Sequence, residues 1–204
     1  MLDTNGGATA TATARLRNEP VQARSAARLD ALLDAAATVL DEVGYERLTT
    51  ALIAQRASAS IGTVYRYFPD RLAVLEGLAD RAADRLLEGA QAALAAAGPD
   101  IAERLTIALD CIIDAHRADT GFQVVCVFES MRVLGPRGEE RHGPEVLTPL
   151  VSLISSGQSD HSDLTTALFV GEALVHRAFE VDRQGDAGLI EAGKRAALRF
   201  LADD

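Results

Sequence analysis

The stretch from Ser25 to Arg71 restricts this chain more than any other, because it reads as three short helices in a row. From Arg28 to Val43 the residues Leu29, Leu32, Leu33, Ala36, Val39, Leu40 and Val43 recur at three-and-four spacing, the signature of one buried helical stripe. Gly44 ends that helix where a left-handed residue is cheapest. Thr49 or Thr50 caps a second helix, about Ala51 to Ala57, that buries Leu52 and Ile53. A tight turn, Ser58-Ala59-Ser60, leads into a third helix with Ser60 as its N-cap. Two short helices joined by such a turn form a helix-turn-helix, whose second member can lie in a DNA major groove.

The third helix, SIGTVYRYF, has too many exposed functional groups for a purely structural piece. Val64 and Phe68 lie four apart and pack inward, whereas Ile61, Gly62, Thr63, Tyr65, Arg66 and Tyr67 fall mostly elsewhere. Hydroxyls of threonine and tyrosine suit phosphate oxygens, and a guanidinium suits a phosphate or a guanine edge. Pro69 breaks the helix and Asp70 caps the next.

These residues resemble the N-terminal domain of the tetracycline-repressor (TetR) family of bacterial transcription regulators. The resemblance is carried by the apolar first helix ending in Gly44-Tyr45, by Thr49-Thr50, Ile53-Ala54 and Ala57, and by Ser60-x-Gly62-Thr63-Val64-Tyr65-x-Tyr67-Phe68. It covers about 47 residues and implies an all-helical homodimer with a variable ligand-binding domain downstream. It also implies that Ile61, Gly62, Thr63 and Arg66 approach base edges while Thr49, Ser60, Tyr65, Tyr67 and Arg71 hold phosphates. Two positions depart from the family pattern. Ser58 stands where glycine is usual, at a cost on the order of 1 kcal/mol if the residue is left-handed. Arg71 stands where lysine is favoured, and keeps the positive charge.

The net charge of -10 looks wrong for a DNA-binding protein until it is divided. Residues 15–71 hold eight Arg and seven Asp or Glu, for +1, so the remainder carries -11. A near-neutral head with Arg15, Arg17, Arg24 and Arg28 near its start is thus attached to an acidic body, which leaves one face able to bind nucleic acid. No apolar run approaches membrane-spanning length and no secretion signal opens the chain, so a cytoplasmic protein with no membrane partner is expected. Cys111 and Cys126 are too few for a disulfide framework or zinc finger and read as buried thiols.

Three segments follow: 1–23 as a disordered arm, 24–71 as the helix-turn-helix domain, and 72–204 as a helical ligand-binding and dimerisation domain, about nine helices in all. The fourth helix, Asp70 to about Ala97, starts beside the reading helix and runs into the second domain, linking the two. The fifth, Ile101 to Ala118, puts Leu105, Leu109, Ile112 and His116 on one face. The run GFQVVCVFESMRVL reads as a mostly buried helix. Residues 135–144 form a loop, and further helices follow at about Glu145–Ser155, Asp163–Arg183 and Ala187–Ala202. A cavity lined by Leu86, Leu105, Leu109, Phe122, Cys126 and Met131, with His116 and Glu129 as its polar groups, is the expected seat of a small apolar effector of unknown identity. Leu168, Gly171, Val175, Phe179, Ala197 and Phe200, on the last two helices, either fill the internal core or pair two subunits; the family resemblance favours pairing.

Nothing positive points to an enzyme or a cofactor, since no phosphate-binding glycine loop, nucleophile elbow, HExxH or CxxC occurs. Glu172, His176 and Glu180 recur at metal-compatible spacing, which is equally ordinary helix-surface charge pairing. The expectation is a ligand-responsive DNA-binding repressor. The alternative is a small-molecule binding protein of the same fold that has lost DNA affinity.

Overall fold

The computed structural model describes residues 10–118, 122, 147–156 and 162–202. Among them lie eight α-helices and one 3-10 turn: α1 (Ala10–Val43), the turn Tyr45–Arg47, α2 (Thr50–Arg56), α3 (Ile61–Tyr67), α4 (Arg71–Ala95), α5 (Ile101–Ala118), α6 (Leu147–Ser155), α7 (Ser162–Val181) and α8 (Ala187–Ala202). They separate into two compact units whose division falls inside α4, between Val74 and Leu75, three residues beyond the boundary read from sequence.

In the first unit, Leu32, Leu33, Ala36, Val39 and Leu40 of α1 are buried, with Leu29 and Val43 half-buried at the ends of the stripe. Around them close Leu48, Ile53, Ala54, Val64 and Phe68. Helix α1 is described from Ala10 to Val43, across part of the stretch expected from sequence to be an arm. At the other end Gly44 takes φ +74, as a stop signal should.

The turn between α2 and α3 depends on Ser58, whose φ is +47. Ser58 N–H donates to Gln55 O (3.2 Å) and Ala59 N–H reaches back to Ala54 O (2.9 Å), the paired bonds of a Schellman cap. Serine therefore occupies the left-handed position that glycine fills at least cost, and the turn keeps its geometry despite that cost.

In the second unit α7 and α8 form a helical hairpin around the turn 182–186, where Gly185 has φ +85 and Asp186 accepts a hydrogen bond from Leu189 N–H (2.9 Å). Leu105, Leu109 and Ile112 of α5 pack in one cluster with Leu150 and Ile154 of α6, Leu168, Val175 and Phe179 of α7, and Ile190 and Ala197 of α8. The buried side of α4 in this unit includes Leu78, Ala82, Leu86, Ala90 and Leu94. Lys194 joins α8 to Asp110 of α5 at 2.5 Å. The expected helix over GFQVVCVFESMRVL, apart from Phe122, lies outside the described residues, as do Cys126, Glu129 and Met131.

Candidate nucleic-acid interface

Side-chain caps fix the starts of both short helices. Thr49 Oγ1 accepts from Leu52 N–H (3.2 Å) at the start of α2, and Ser60 Oγ accepts from Thr63 N–H (3.1 Å) at the start of α3. The hydroxyls of Ser60 and Thr63 also bond each other at 2.8 Å. Thr49, as an acceptor, keeps its own O–H to donate outward. Asp70 accepts from Ala73 N–H (2.8 Å) and so starts α4 directly after Pro69.

Helix α3 has two distinct faces. Val64 is fully buried and Phe68 is 4% exposed, so the helix is pinned at these two points. On the other side Ile61 and Tyr65 are about half exposed, at 49% and 51%, and Gly62 and Arg66 are exposed too. A methyl group added at Gly62 would come no nearer than 3.9 Å to any neighbour, so the surface over it is open to close approach. An isolated seven-residue helix has no stability of its own. Its conformation here is set by two caps and two anchors, which makes its outer face a preorganised surface.

The neighbouring groups are basic and hydroxylated. Ser25 Oγ and Tyr67 Oη hydrogen-bond at 3.2 Å, and the Arg66 guanidinium lies 5.1 Å from the Tyr67 ring centre. The Ser25 bond first, then the Arg66 and Arg28 charges, hold the Tyr67 phenol below the usual tyrosine range. Arg71 is engaged within the chain: its Nη1 donates to Tyr45 O (3.2 Å) and its guanidinium stacks 4.2 Å above the Tyr45 ring. It braces the junction between the 3-10 turn and α4. Arg56 and Glu42 make a two-pronged ion pair that joins α2 to α1. Both partners are solvated, so it adds little stability.

The structure thus brings Thr49, Ser60, Ile61, Gly62, Thr63, Tyr65, Arg66, Tyr67 and Arg71 into one compact unit, with Arg71 the member already tied down. Sequence reasoning missed Ser25. Its partner lies 42 residues away, and no local pattern marks it.

In the second unit Leu86, Leu105, Leu109 and Phe122 share one packed cluster. His116, 1% exposed, stacks on Phe179 (centroids 4.5 Å apart, planes 11° apart) and meets Phe122 edge-on at 4.8 Å. Burial, with the neighbouring His176 adding to it, lowers the His116 pKa to about 4, so the imidazole is neutral at physiological pH. Glu172 on α7 is pushed the other way, up to about 7, by burial.

Five of the six residues assigned to a subunit interface are spent inside the subunit. Leu168, Val175 and Ala197 are fully buried, Phe179 is 5% exposed and Gly171 is buried. A Cβ on Gly171 would lie 3.0 Å from Leu109 Cδ2 and 3.1 Å from Ala197 Cβ. The small residues therefore let α7 and α8 close on each other and on α5, which corrects the assignment. Only Phe200, 41% exposed, faces outward; Phe169 of α7, 50% exposed, also does so and was not assigned. Glu180 bonds Arg177 at 2.7 Å and lies 3.5 Å from His176 Nε2, and no group of three metal-ligating side chains occurs among the described residues. Among those residues no helix is long and apolar enough to cross a membrane.

Comparison with known proteins places this geometry. Residues 32–78 match the family model for bacterial regulatory proteins of the tetR family. The chain is similar, at 34% identity over 55 residues, to the HTH-type transcriptional repressor KstR of Mycolicibacterium smegmatis; the match spans 27% of each chain, about a quarter of that relative's length. A crystal structure of a TetR-family transcriptional regulator from Streptomyces coelicolor is similar over 88% of this chain and 98% of that one, at 33% identity and a TM-score of 0.70. The fatty acid degradation regulator FadR of Bacillus halodurans shares the fold over 84% of this chain and 94% of its own, at 20% identity and a TM-score of 0.62.

Proposed function

The chain belongs to the tetR family of bacterial regulatory proteins, and on that premise we propose that it is a ligand-responsive repressor. In this reading it binds a palindromic DNA operator as a homodimer and leaves it when a small apolar effector binds. The observation that carries the DNA-binding part is the two-faced α3: buried Val64 and Phe68 hold it, while Ile61, Gly62, Tyr65 and Arg66 stand exposed on a capped, rigid helix.

Ile61, Gly62, Thr63 and Arg66 approach base edges in the major groove, and Thr49, Ser60, Tyr65 and Tyr67 hold phosphates. Arg71 keeps the start of α4 in place and offers its remaining donors to the backbone. One short helix reads only a few base pairs, so two heads about 34–36 Å apart supply the specificity. The pairing surface is the outer face of the α7–α8 hairpin, with Phe169 and Phe200 as its large apolar groups. The effector site lies in the cluster of Leu86, Leu105, Leu109 and Phe122, with neutral His116 as an orienting group. An effector there that favours a different tilt of α4 by about 1–3 kcal/mol weakens operator binding roughly five- to 150-fold.

The test is a comparison of two substitutions on the reading helix. Arg66→Ala is expected to alter base preference at one operator position, by about 1–3 kcal/mol if it reads a guanine. Tyr65→Phe, which removes a hydroxyl and keeps the ring, is expected to weaken binding to every sequence alike. Binding across a library of single-base operator variants separates the two patterns. Unchanged profiles for both proteins would remove the contact assignment.

A further inference from the structure

Helix α1 packs the first unit, and one part of it also touches α3 directly. Ser25 Oγ lies 3.2 Å from the hydroxyl of Tyr67, 42 residues away, and both groups are at the surface. Arg28, half-buried, follows three residues on and so lies on the same side of α1 as Ser25, and its charge helps hold the phenol below its usual range. Arg24, exposed, is four residues before Arg28 and therefore on the same side of the helix. Asp30 is two residues from Arg28 and so turned away from it.

Two hydroxyls that share one hydrogen bond use one hydrogen between them, and the other is left to donate outward. A group placed there meets that O–H beside the positive charge of Arg28. Hydroxyl donors beside fixed positive charge suit a phosphate oxygen, and guanidinium bonds to phosphate are among the strong ones.

We propose that Ser25 and Arg28 of α1 form, with Tyr67 of α3, a phosphate-holding cluster, so that the first helix grips the DNA backbone alongside the reading helix. This rests on the DNA-binding reading above and adds two residues outside the helix-turn-helix to it. Any phosphate within reach of the Tyr67 hydroxyl is within reach of the Ser25 hydroxyl bonded to it. The contact carries no sequence information. It fixes the angle at which α3 enters the groove.

The experiment titrates the full-length chain against a labelled duplex spanning the DNA upstream of its own coding region, and against a scrambled duplex, over a range of salt. The proteins are the unmodified chain, Arg28→Ala, Arg28→Lys and Ser25→Ala. Arg28→Ala is expected to lose on the order of tenfold in affinity for both duplexes, as a charged hydrogen bond to phosphate requires. Its slope of log affinity against log salt should be shallower by about 0.9, one phosphate fewer, and Arg28→Lys should restore most of that slope. Ser25→Ala, at an exposed position, keeps the fold and should weaken both duplexes by the same factor. A fall in affinity for Arg28→Ala with the salt slope unchanged overturns the cluster, because damage to the fold does not alter how many phosphates are neutralised. If the unmodified chain binds and all three variants match it, the cluster alone is wrong. Failure of the unmodified chain to bind either duplex removes the DNA-binding reading and this inference with it.

Discussion

Replacing Arg104 with alanine should cost the second unit about 3–5 kcal/mol, a large share of the roughly 5–15 kcal/mol that stabilises an ordinary domain. Arg104 is only 8% exposed and spends its guanidinium on backbone carbonyls. Nε donates to Ile154 O at 2.7 Å and Nη2 to Leu153 O at 2.8 Å, both at the end of α6. Nη1 donates to Leu94 O at 3.2 Å, in the last turn of α4, and to Gly98 O at 3.3 Å just beyond it. Helix ends leave carbonyls without intrahelical partners and carry partial negative charge, so one cation satisfies and neutralises two of them at once. Alanine leaves these acceptors buried without a donor, at about 1–3 kcal/mol each for those that water does not reach. Arg104→Lys should recover only part of the loss, since an ammonium on a flexible stem cannot reproduce the fork. Denaturant unfolding monitored by circular dichroism reads the difference. A loss below about 1 kcal/mol for the alanine variant means that the four bonds are not what fastens α4, α5 and α6 together.

Glycine-to-alanine substitution should have opposite signs at two helical positions. At Gly193 of α8 a Cβ would sit 2.8 Å from the backbone oxygen of Gly171 and 3.2 Å from Leu174 Cβ. The first is a main-chain atom of the facing helix, so relief requires α7 and α8 to move apart along the best-packed seam of the unit. Overpacking of that kind costs about 1–3 kcal/mol, and it exceeds the gain in helix propensity, about 1 kcal/mol. At Gly89 of α4 nothing lies within 4 Å of the added carbon, so only the propensity gain remains. Thermal unfolding of the two variants should therefore bracket the unmodified protein, with Gly193→Ala below it and Gly89→Ala above. A Gly193→Ala protein that melts at or above the parent temperature contradicts the close approach of the two helices.

The helix-turn-helix arrangement of the first unit was legible in the sequence because its determinants are local. Thr49 and Ser60 cap the helices that follow them, Ser58 takes the left-handed turn position, and Val64 and Phe68 point inward at helical spacing. Each of these depends on neighbours a few residues away. The second unit was harder to read, for a physical reason. An apolar stripe states that something covers it and is silent about what. Leu168, Val175 and Phe179 form as good a stripe for a partner subunit as for α5, and only the three-dimensional arrangement shows that the subunit uses them itself. Arg104 gave no signal either, because its partners are carbonyl groups and every residue has one.

The central claim, that this chain is a sequence-specific DNA-binding regulator, is tested most directly by fluorescence anisotropy of the unmodified protein on the duplex upstream of its own coding region, beside a scrambled duplex of equal length and composition. We expect saturable binding to the first, at least 10³-fold tighter than to the second at physiological salt, with both affinities falling steeply as salt rises. Equal and weak affinity for the two duplexes, with α3 folded and the chain intact, would contradict it.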